Sequence, residues 1–300
     1  MKLSVIIVNW NVRPLLERCL RSILKNTPSF SYEVIVVDNN SEDDSKEFLT
    51  RFVEKRKNFK VIFNRENLGF AKANNLGLKK AKGEYILFLN PDTEILSGAL
   101  EKAVKIMDKN KKVGAFTGQL VGIDNKPQTN IRPFPSFFFI FSLFFSFQKI
   151  FSFCPYYKYY LGKKFDYSKS SFCQQIAGAF LMVRRKILDE IGSFDENFHI
   201  WFEDVDLCYR IKKHGWKNYY SPEVKVLHYG GESFKQLMPF CKRKLFAQSA
   251  LYYVKKHFSK KEYFILRIAY PFSLFFSFLL DILVLFWQKV GFKTRVKRRI

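Results

Sequence analysis

The sequence predicts an α/β fold: a Rossmann-like, mostly parallel central sheet flanked by helices, followed by a hydrophobic C-terminal helical segment. Three observations carry this. Apolar β-branched runs alternate with helix-period segments from residue 3 to about 117. Polar residues collect at the ends of those runs, where open α/β sheets bind ligands. The 35 phenylalanines are unevenly spread, with two dense stretches in the later part of the chain.

Taken in order, "LSVIIVN" is a β-branched run of the kind buried on both faces. Leu15, Leu16, Cys19, Leu20, Ile23 and Leu24 then recur at helical spacing behind Pro14, a residue favoured at helix starts. "YEVIVVDNNS" predicts a second strand, residues 42–57 a helix, and "FKVIFN" a third strand. "GFAKANNLGLKKAKG" predicts a helix ending at Gly83. "EYILFLNPD" predicts a fourth strand, followed by a helix from about Ser97 to Asp108 and a fifth strand near "VGAFTG". Further on, "WFEDVDLCYRIKKHG" predicts a helix from Glu203 with Gly215 past its end.

Composition narrows the class. Lys and Arg outnumber Asp and Glu 51 to 27, a formal charge of +24, which points to a polyanionic partner. Runs of Phe favour an anionic membrane surface over nucleic acid, which calls for basic patches with a few aromatics. The five cysteines form no C-x-x-C pair, so neither a zinc ribbon nor a disulfide framework is indicated. The first apolar run is too short for a signal peptide, and the main domain is expected on the cytoplasmic side. No G-x-G-x-x-G follows the first strand and no P-loop is present, which removes the main support for a dehydrogenase or an NTPase.

The strand-end residues are Asn9 and Asn11, then Asp38, Asn39 and Asn40, then Asn90 and Asp92. Turn chemistry accounts for any one group, but three groups on one edge point to a nucleotide-type crevice. Asp38 can accept a pyrimidine ring N–H, and an Asx turn explains it equally well. Asp92 can hold a hard divalent cation or cap a helix. His228, before Gly230 and Gly231, can turn onto a metal or phosphate, although a lone His is more often structural. "NLGFAKANNLG" sets a Gly loop at a helix start, where backbone N–H groups suit phosphate and Lys72 adds charge. Glu203, Asp204 and Asp206 complement a helix dipole, while the preceding "FHIWF" reads as the wall of a cleft.

The ordered set "SVIIVNWN", "VIVVDNNS", "NLGFAKANNLGL", "FLNPDTE", "AGAFLMVRR", "FDENFHIWFEDVDLCYR" and "HYGGES", over residues 3–233, resembles the inverting glycosyltransferase family 2 with the GT-A fold, and most closely its rhamnosyltransferase-like members. The resemblance implies a GT-A domain over 1–235 with a Phe-rich insertion at about 133–165. It also implies transfer of a sugar from a nucleoside diphosphate (dTDP-rhamnose or similar) to a hydroxyl. It places Asp38 on the nucleobase, with Asn9, Asn11, Asn40, Gly69, Lys72, Asn74 and Asn90 around the nucleotide sugar. Asp92 takes the metal position with Mn²⁺ or Mg²⁺, and water or His228 supplies the missing ligands because Asn90 replaces the usual first Asp. Asp204 becomes the base, Glu203 its neighbour in the site, and Gly178, Ala179 and Trp201 the acceptor wall. Asp206 is left a structural role.

The region 236–300 is expected to be helical and membrane-associating, with a polybasic tail. "FPSFFFIFSLFFSF" (134–147) is too short to span a bilayer and is expected to lie in the interface. Residues 268–287 are long enough to cross, but they contain Asp281 and are basic on both flanks. An in-plane or re-entrant hairpin bent at Pro271 is therefore favoured over a single span, at the cytoplasmic face of the plasma membrane. Such a location implies a lipid-linked cell-envelope saccharide as acceptor. A UDP-sugar donor, or a membrane-bound protein that binds sugar nucleotides without catalysis, remain the alternatives.

Overall fold

The computed structural model describes residues 1–231 and 239–289. The polybasic tail, and Glu232 and Ser233 of the last family motif, lie outside the described residues. The first four strands, β1 (Leu3–Asn9), β2 (Tyr32–Asp38), β3 (Phe59–Phe63) and β4 (Tyr85–Leu89), are mutually parallel in the order β3-β2-β1-β4. Their connections run through α1 (Arg13–Lys25), α2 (Ser45–Glu54) and α3 (Phe70–Lys80). Alternate residues of β1 serve opposite faces. Val5 and Ile7 pack with Leu16 and Leu20 of α1, and Ile6 packs with Ala71 and Ala73 of α3. That two-sided burial is why the strand reads as continuous rather than alternating hydrophobic sequence.

The sheet continues through β10 (Phe180–Arg184), β6 (Val113–Val121), β11 (Lys217–His228) and β5 (Thr93–Ile95), with β8 (Ser171–Cys173) pairing β11. β10 runs antiparallel between β4 and β6, so the nine-stranded sheet of the described residues is mixed but mostly parallel. Register carries Asn9 of β1 beside Asp38 of β2 and sets Leu89 opposite Ile7, so the strand-end polar residues do share one edge. Helix α4 (Ala99–Lys109) covers one face, with Ala103 and Met107 in the core beside Phe116. α3 stops at Lys80, short of Gly83. Gly83 has a different duty: a Cβ there would lie 2.4 Å from Ser4 N, so only glycine lets the chain enter β4 against β1.

Between β6 and β10 the chain forms β7 (Ile131–Arg132), the insertion helices α5 (Phe137–Phe144), α6 (Phe147–Ile150) and α7 (Pro155–Tyr160), then β8 and β9 (Gln175–Ile176), which pairs β7. After β10 come α8 (Arg185–Ile191) and α9 (Glu203–Lys213), and after β11 the helices α10 (Pro239–His257) and α11 (Lys260–Lys289). The hairpin expected inside 268–287 is not found: α11 runs unbroken past Pro271, and the antiparallel partner it packs against is α10. Proline inside a helix removes one backbone bond but does not force a reversal of the chain. Among the described residues, no helix is long and apolar enough to cross a membrane.

α5, α10 and α11 share a third apolar cluster that includes Ile140, Phe144, Ala250, Val254 and Leu266. Phe198, Phe202 and Val205, which flank the start of α9, belong to the same cluster. The C-terminal helices are thus packed against the start of α9. Their outer faces stay apolar: Phe264, Ile268, Phe272, Phe275 and Phe278 of α11 fall on one exposed stripe at helical spacing.

Candidate active site

A cavity of about 490 Å³ opens along the strand-end edge. Gly69, Asn90, Asp92, Gly178, Ala179, Trp201, Glu203, Asp204 and His228 all line it, so the sheet topology brings together most of the expected residues from five separate segments. Asn9, Asn11, Asp38, Asn40, Lys72 and Asn74 do not, and the reasons are local. Asp38 is buried behind the wall. Its Oδ1 accepts from Asn9 Nδ2 at 2.8 Å and Ser41 Oγ at 2.7 Å, and its Oδ2 from Ser41 N at 3.0 Å. The Asx-turn reading therefore describes its bonding here. Asn11 is tied into the same turn, accepting from Glu42 N. Asn74 caps its own helix by donating to Phe70 O, and Lys72 and Asn40 point to solvent.

Asn39, one residue on from Asp38, is the polar group that reaches the cavity. It donates to Asn67 Oδ1 at 2.8 Å and accepts from Asn64 Nδ2 at 2.9 Å and Leu68 N at 3.1 Å. This mesh fixes the loop before α3. Gly69 sits in that loop at φ +79°, and a Cβ there would lie 2.5 Å from His199 O. The loop is thereby pressed against the segment that leads to the acids, and Phe70 N donates to His199 O at 2.9 Å. Trp10, Arg132 and His199 also line the cavity. No spacing in the sequence marked them: Trp10 and His199 sit in connecting segments, and Arg132 in the two-residue strand β7.

The acids are placed by a strained turn. Trp201 and Phe202 both adopt left-handed backbone, at φ 63° and 67°, an uncommon state for bulky residues. Ser249 Oγ of α10 donates to Ile200 O at 2.7 Å, and Phe202 lies between Phe246 and Tyr253, with ring centroids at 5.5 and 5.3 Å. From this turn α9 projects its first residues into the cavity. Asp204 Oδ2 accepts from Gly178 N at 3.0 Å and Oδ1 from Val205 N at 2.7 Å. Burial pushes the Asp204 carboxyl above its usual range; the two backbone donors and Arg132 pull the other way without cancelling it. Glu203, buried with Oε2 unpartnered among the described residues, is pushed well above its usual range by burial and then by the Asp204 charge. Gly178 has room for a Cβ, whose nearest neighbours, in Phe70 and Asp204, lie at 3.7–3.8 Å, so its contribution is the N–H it gives Asp204.

Asp206 faces away. Fully buried, it pairs with Arg210 at 2.8 Å, Lys256 at 2.8 Å and His257 at 2.7 Å. The structural role expected for it is therefore a bolt between α9 and α10.

At the opposite wall, His228 Nε2 lies 3.5 Å from Asp92 Oδ1. Gln128 fixes the imidazole: its Nε2 donates to His228 O at 2.9 Å, which leaves its Oε1 to face His228 Nδ1 at 2.7 Å. Nδ1 must then carry the proton, and Nε2 presents a lone pair toward Asp92. Two lone-pair donors so spaced, one imidazole and one carboxylate, fit a single divalent cation such as Mn²⁺ or Mg²⁺. Among the described residues no group of three or more His, Cys, Asp or Glu could hold a metal.

The family model for glycosyl transferase family 2 matches residues 4–192. The chain belongs to glycosyltransferase family 2. Among curated family-2 relatives, it is 25% identical over 247 residues to an N-acetylglucosaminyl-diphospho-decaprenol L-rhamnosyltransferase of Mycobacterium tuberculosis, covering 77% of each chain. It is 39% identical over 100 residues, about a third of each chain, to a GalNAc(5)-diNAcBac-PP-undecaprenol beta-1,3-glucosyltransferase of Campylobacter jejuni. A mannosyltransferase of Pyrobaculum calidifontis, solved with GDP-Man and Mn²⁺, shares the fold with a TM-score of 0.56 at 19% identity, over 92% of this chain and 72% of that one. The GT-A-like architecture expected from the sequence is thus found in both the sheet and the structural relatives of this family-2 chain.

Proposed function

We propose that this family-2 glycosyltransferase is an inverting enzyme that moves a sugar, rhamnose or a similar hexose, from a nucleoside diphosphate to a hydroxyl of a lipid-linked cell-envelope saccharide. The observation that carries this reading is Asp204, a carboxylate with a raised proton affinity on one wall of a cavity whose other wall is the strand-end edge. The named activities of the mycobacterial and Campylobacter relatives support the lipid-linked acceptor.

In the reaction, Asp204 takes the proton of the acceptor hydroxyl. The oxygen forms a bond to the anomeric carbon as the bond to the diphosphate oxygen breaks, and the nucleoside diphosphate leaves with that electron pair. One displacement inverts the centre, and no covalent sugar–enzyme intermediate is needed. Gly178 and Val205 N–H groups hold the carboxylate in place for this transfer. Trp10 and Asn67 are groups on the cavity wall that would face the nucleobase, with Asn39 and Asp38 anchoring the turns behind them. Asp92 and His228 would hold a divalent cation, which supplies charge neutralisation to the departing diphosphate.

A screen of nucleotide sugars with and without Mn²⁺, detecting released nucleoside diphosphate against a lipid-linked acceptor, tests the reading directly. Release that does not depend on the acceptor, or none with any donor, overturns it. Gln128→Leu frees the imidazole to rotate and change tautomer, so Mn²⁺ affinity should fall about 10- to 100-fold when titrated by electron paramagnetic resonance. The pH profile gives a second check. A raised carboxyl is lost as a base when pH falls through its folded value, so the acid limb of kcat/KM should lie above the ordinary aspartate range. Arg132→Ala removes a charge that favours the ionised form and should move that limb to still higher pH.

The exposed stripe of α11, with Phe138, Ile150 and Phe153 of the insertion, is the surface we assign to the cytoplasmic leaflet, docked in-plane and aided by the chain's positive charge. Flotation with phosphatidylglycerol vesicles, compared with neutral vesicles, checks this assignment.

A further inference from the structure

Beside the main cavity lies a second one of about 200 Å³. Arg132 lines both. The smaller cavity adds Lys164, Gln174, Tyr159, Phe165 and Phe172. Two cations face it, and no carboxylate lines it. Neither the Arg132 guanidinium nor the Lys164 ammonium forms an ion pair or hydrogen bond with another described residue. Asp166, the acid next along the chain, is engaged with Ser168 at 2.6 Å and Lys169 at 3.7 Å.

The placement of the two cations is built into the fold. Gly162 adopts φ +73°, and a Cβ there would lie 2.1 Å from Ile131 O. Only glycine lets the turn before Lys164 press against β7. Tyr167 clamps the same strand, its hydroxyl accepting from Ile131 N at 3.1 Å, and Tyr220 OH donates to Tyr167 O at 2.8 Å. The turn thus presents two exposed like charges, Arg132 and Lys164, on one small concavity where a single anion can meet both. Phe172 and Tyr159 form an exposed aromatic rim, and Tyr160, next to Tyr159, stacks on Phe139 of the insertion at 4.6 Å. The cavity therefore opens toward the Phe-rich face.

We infer that this second cavity is the acceptor's phosphate subsite: Arg132 and Lys164 bind the diphosphate joining saccharide to lipid while a sugar hydroxyl reaches Asp204. This rests on the reading of the protein as a transferase to a lipid-linked acceptor, and it adds a length. Because one residue, Arg132, lines both cavities, the reactive hydroxyl lies only one or two sugar rings from the diphosphate. The acceptor is an early, short lipid-linked glycan and not a long polymer. The guanidinium fork suits bidentate contact with phosphate oxygens, and the lysine adds a point charge.

The test is calorimetric titration of the full chain with farnesyl diphosphate, a short soluble isoprenyl diphosphate, in EDTA. The expected result is saturable binding that excess UDP does not displace, weakened about tenfold or more by Lys164→Ala and further by Lys164→Glu. Lys164 is exposed, so these variants should fold, which circular dichroism verifies. Wild-type-like affinity in Lys164→Glu, full displacement by UDP, or no binding by the wild type each overturns the subsite. So does loss of phosphatidylglycerol vesicle binding in the Lys164 variants with farnesyl diphosphate affinity intact, because the pair would then serve lipid headgroups. The two levels separate cleanly. Binding with this pattern in a protein that transfers no sugar from any donor keeps the subsite and refutes the transferase reading.

Discussion

Asp204→Asn should lower turnover by about 10²–10⁴ while leaving nucleotide binding close to that of the parent protein. The substitution keeps the size of the side chain but removes its capacity to take a proton. It also replaces one of the two acceptor oxygens, so only one of the Gly178 and Val205 N–H groups stays satisfied. A modest fall in melting temperature should therefore accompany the loss of turnover, on the scale of one hydrogen bond, about 1 kcal/mol. The comparison with Glu203→Gln is informative. Glu203 is held well above its usual range by burial and the Asp204 charge, which favours its neutral form, and glutamine imitates that form. It should retain far more activity than Asp204→Asn, with stability unchanged or improved. Steady-state kinetics and calorimetry on the pair decide the matter. Equal losses in the two variants would remove Asp204 from its role as base.

The second large effect is on stability. Asp206→Ala removes the carboxylate shared by Arg210, Lys256 and His257, leaving Lys256 its pairing with Asp195 and Arg210 no acidic partner among the described residues. Removing one partner of a buried ionic cluster costs about 3–5 kcal/mol, which should appear as a marked drop in melting temperature. Asp206→Asn should cost less, since it preserves the volume and some of the hydrogen bonds. Acid should reproduce part of the effect. For Asp195, burial would raise the carboxyl, but Lys256, Asn197 and Tyr252 hold it down to about 2, and Asp206 is likewise lowered. A depressed carboxyl stabilises the fold above its unfolded value and loses that contribution as pH falls toward the folded value. Unfolding should therefore become easier between about pH 4 and pH 2, and less steeply so in Asp195→Asn.

What the sequence disclosed and what it hid follow from the range of the interactions. The runs at 3–9, 32–38 and 85–89 are strands because β-branched residues fill both sheet faces, a local property visible in one segment at a time. Asp204 and His228 lie in motifs whose neighbours constrain them, and both line the cavity. Asp38 is different. Whether a carboxylate at a strand end turns into a cavity or back into its own Asx turn depends on Asn9 and Ser41, and both readings fit the same letters. Arg132 and Gln128 carried no pattern at all. Gln128 matters because β11 returns His228 to it from 100 residues away, a closeness set by sheet topology. The C-terminal helices show the same limit. Hydrophobicity marked 268–287 as membrane-active, yet the neighbour that α11 packs against, α10, could not be read from that stretch.

The strained turn at Trp201 and Phe202 has a consequence for how such enzymes can be recombined. Two left-handed bulky residues cost on the order of 1–3 kcal/mol each, and the restraints that offset this cost come from Phe246, Ser249 and Tyr253 on α10. The helix that carries Asp204 is therefore not portable with the sheet alone. A chimera that grafts another relative's C-terminal helices onto this sheet inherits an intact strand-end edge and every residue of the cavity wall, but a slack mount for Asp204. Lineages that exchange these tails as modules should have to exchange the "FHIWFED" turn with them.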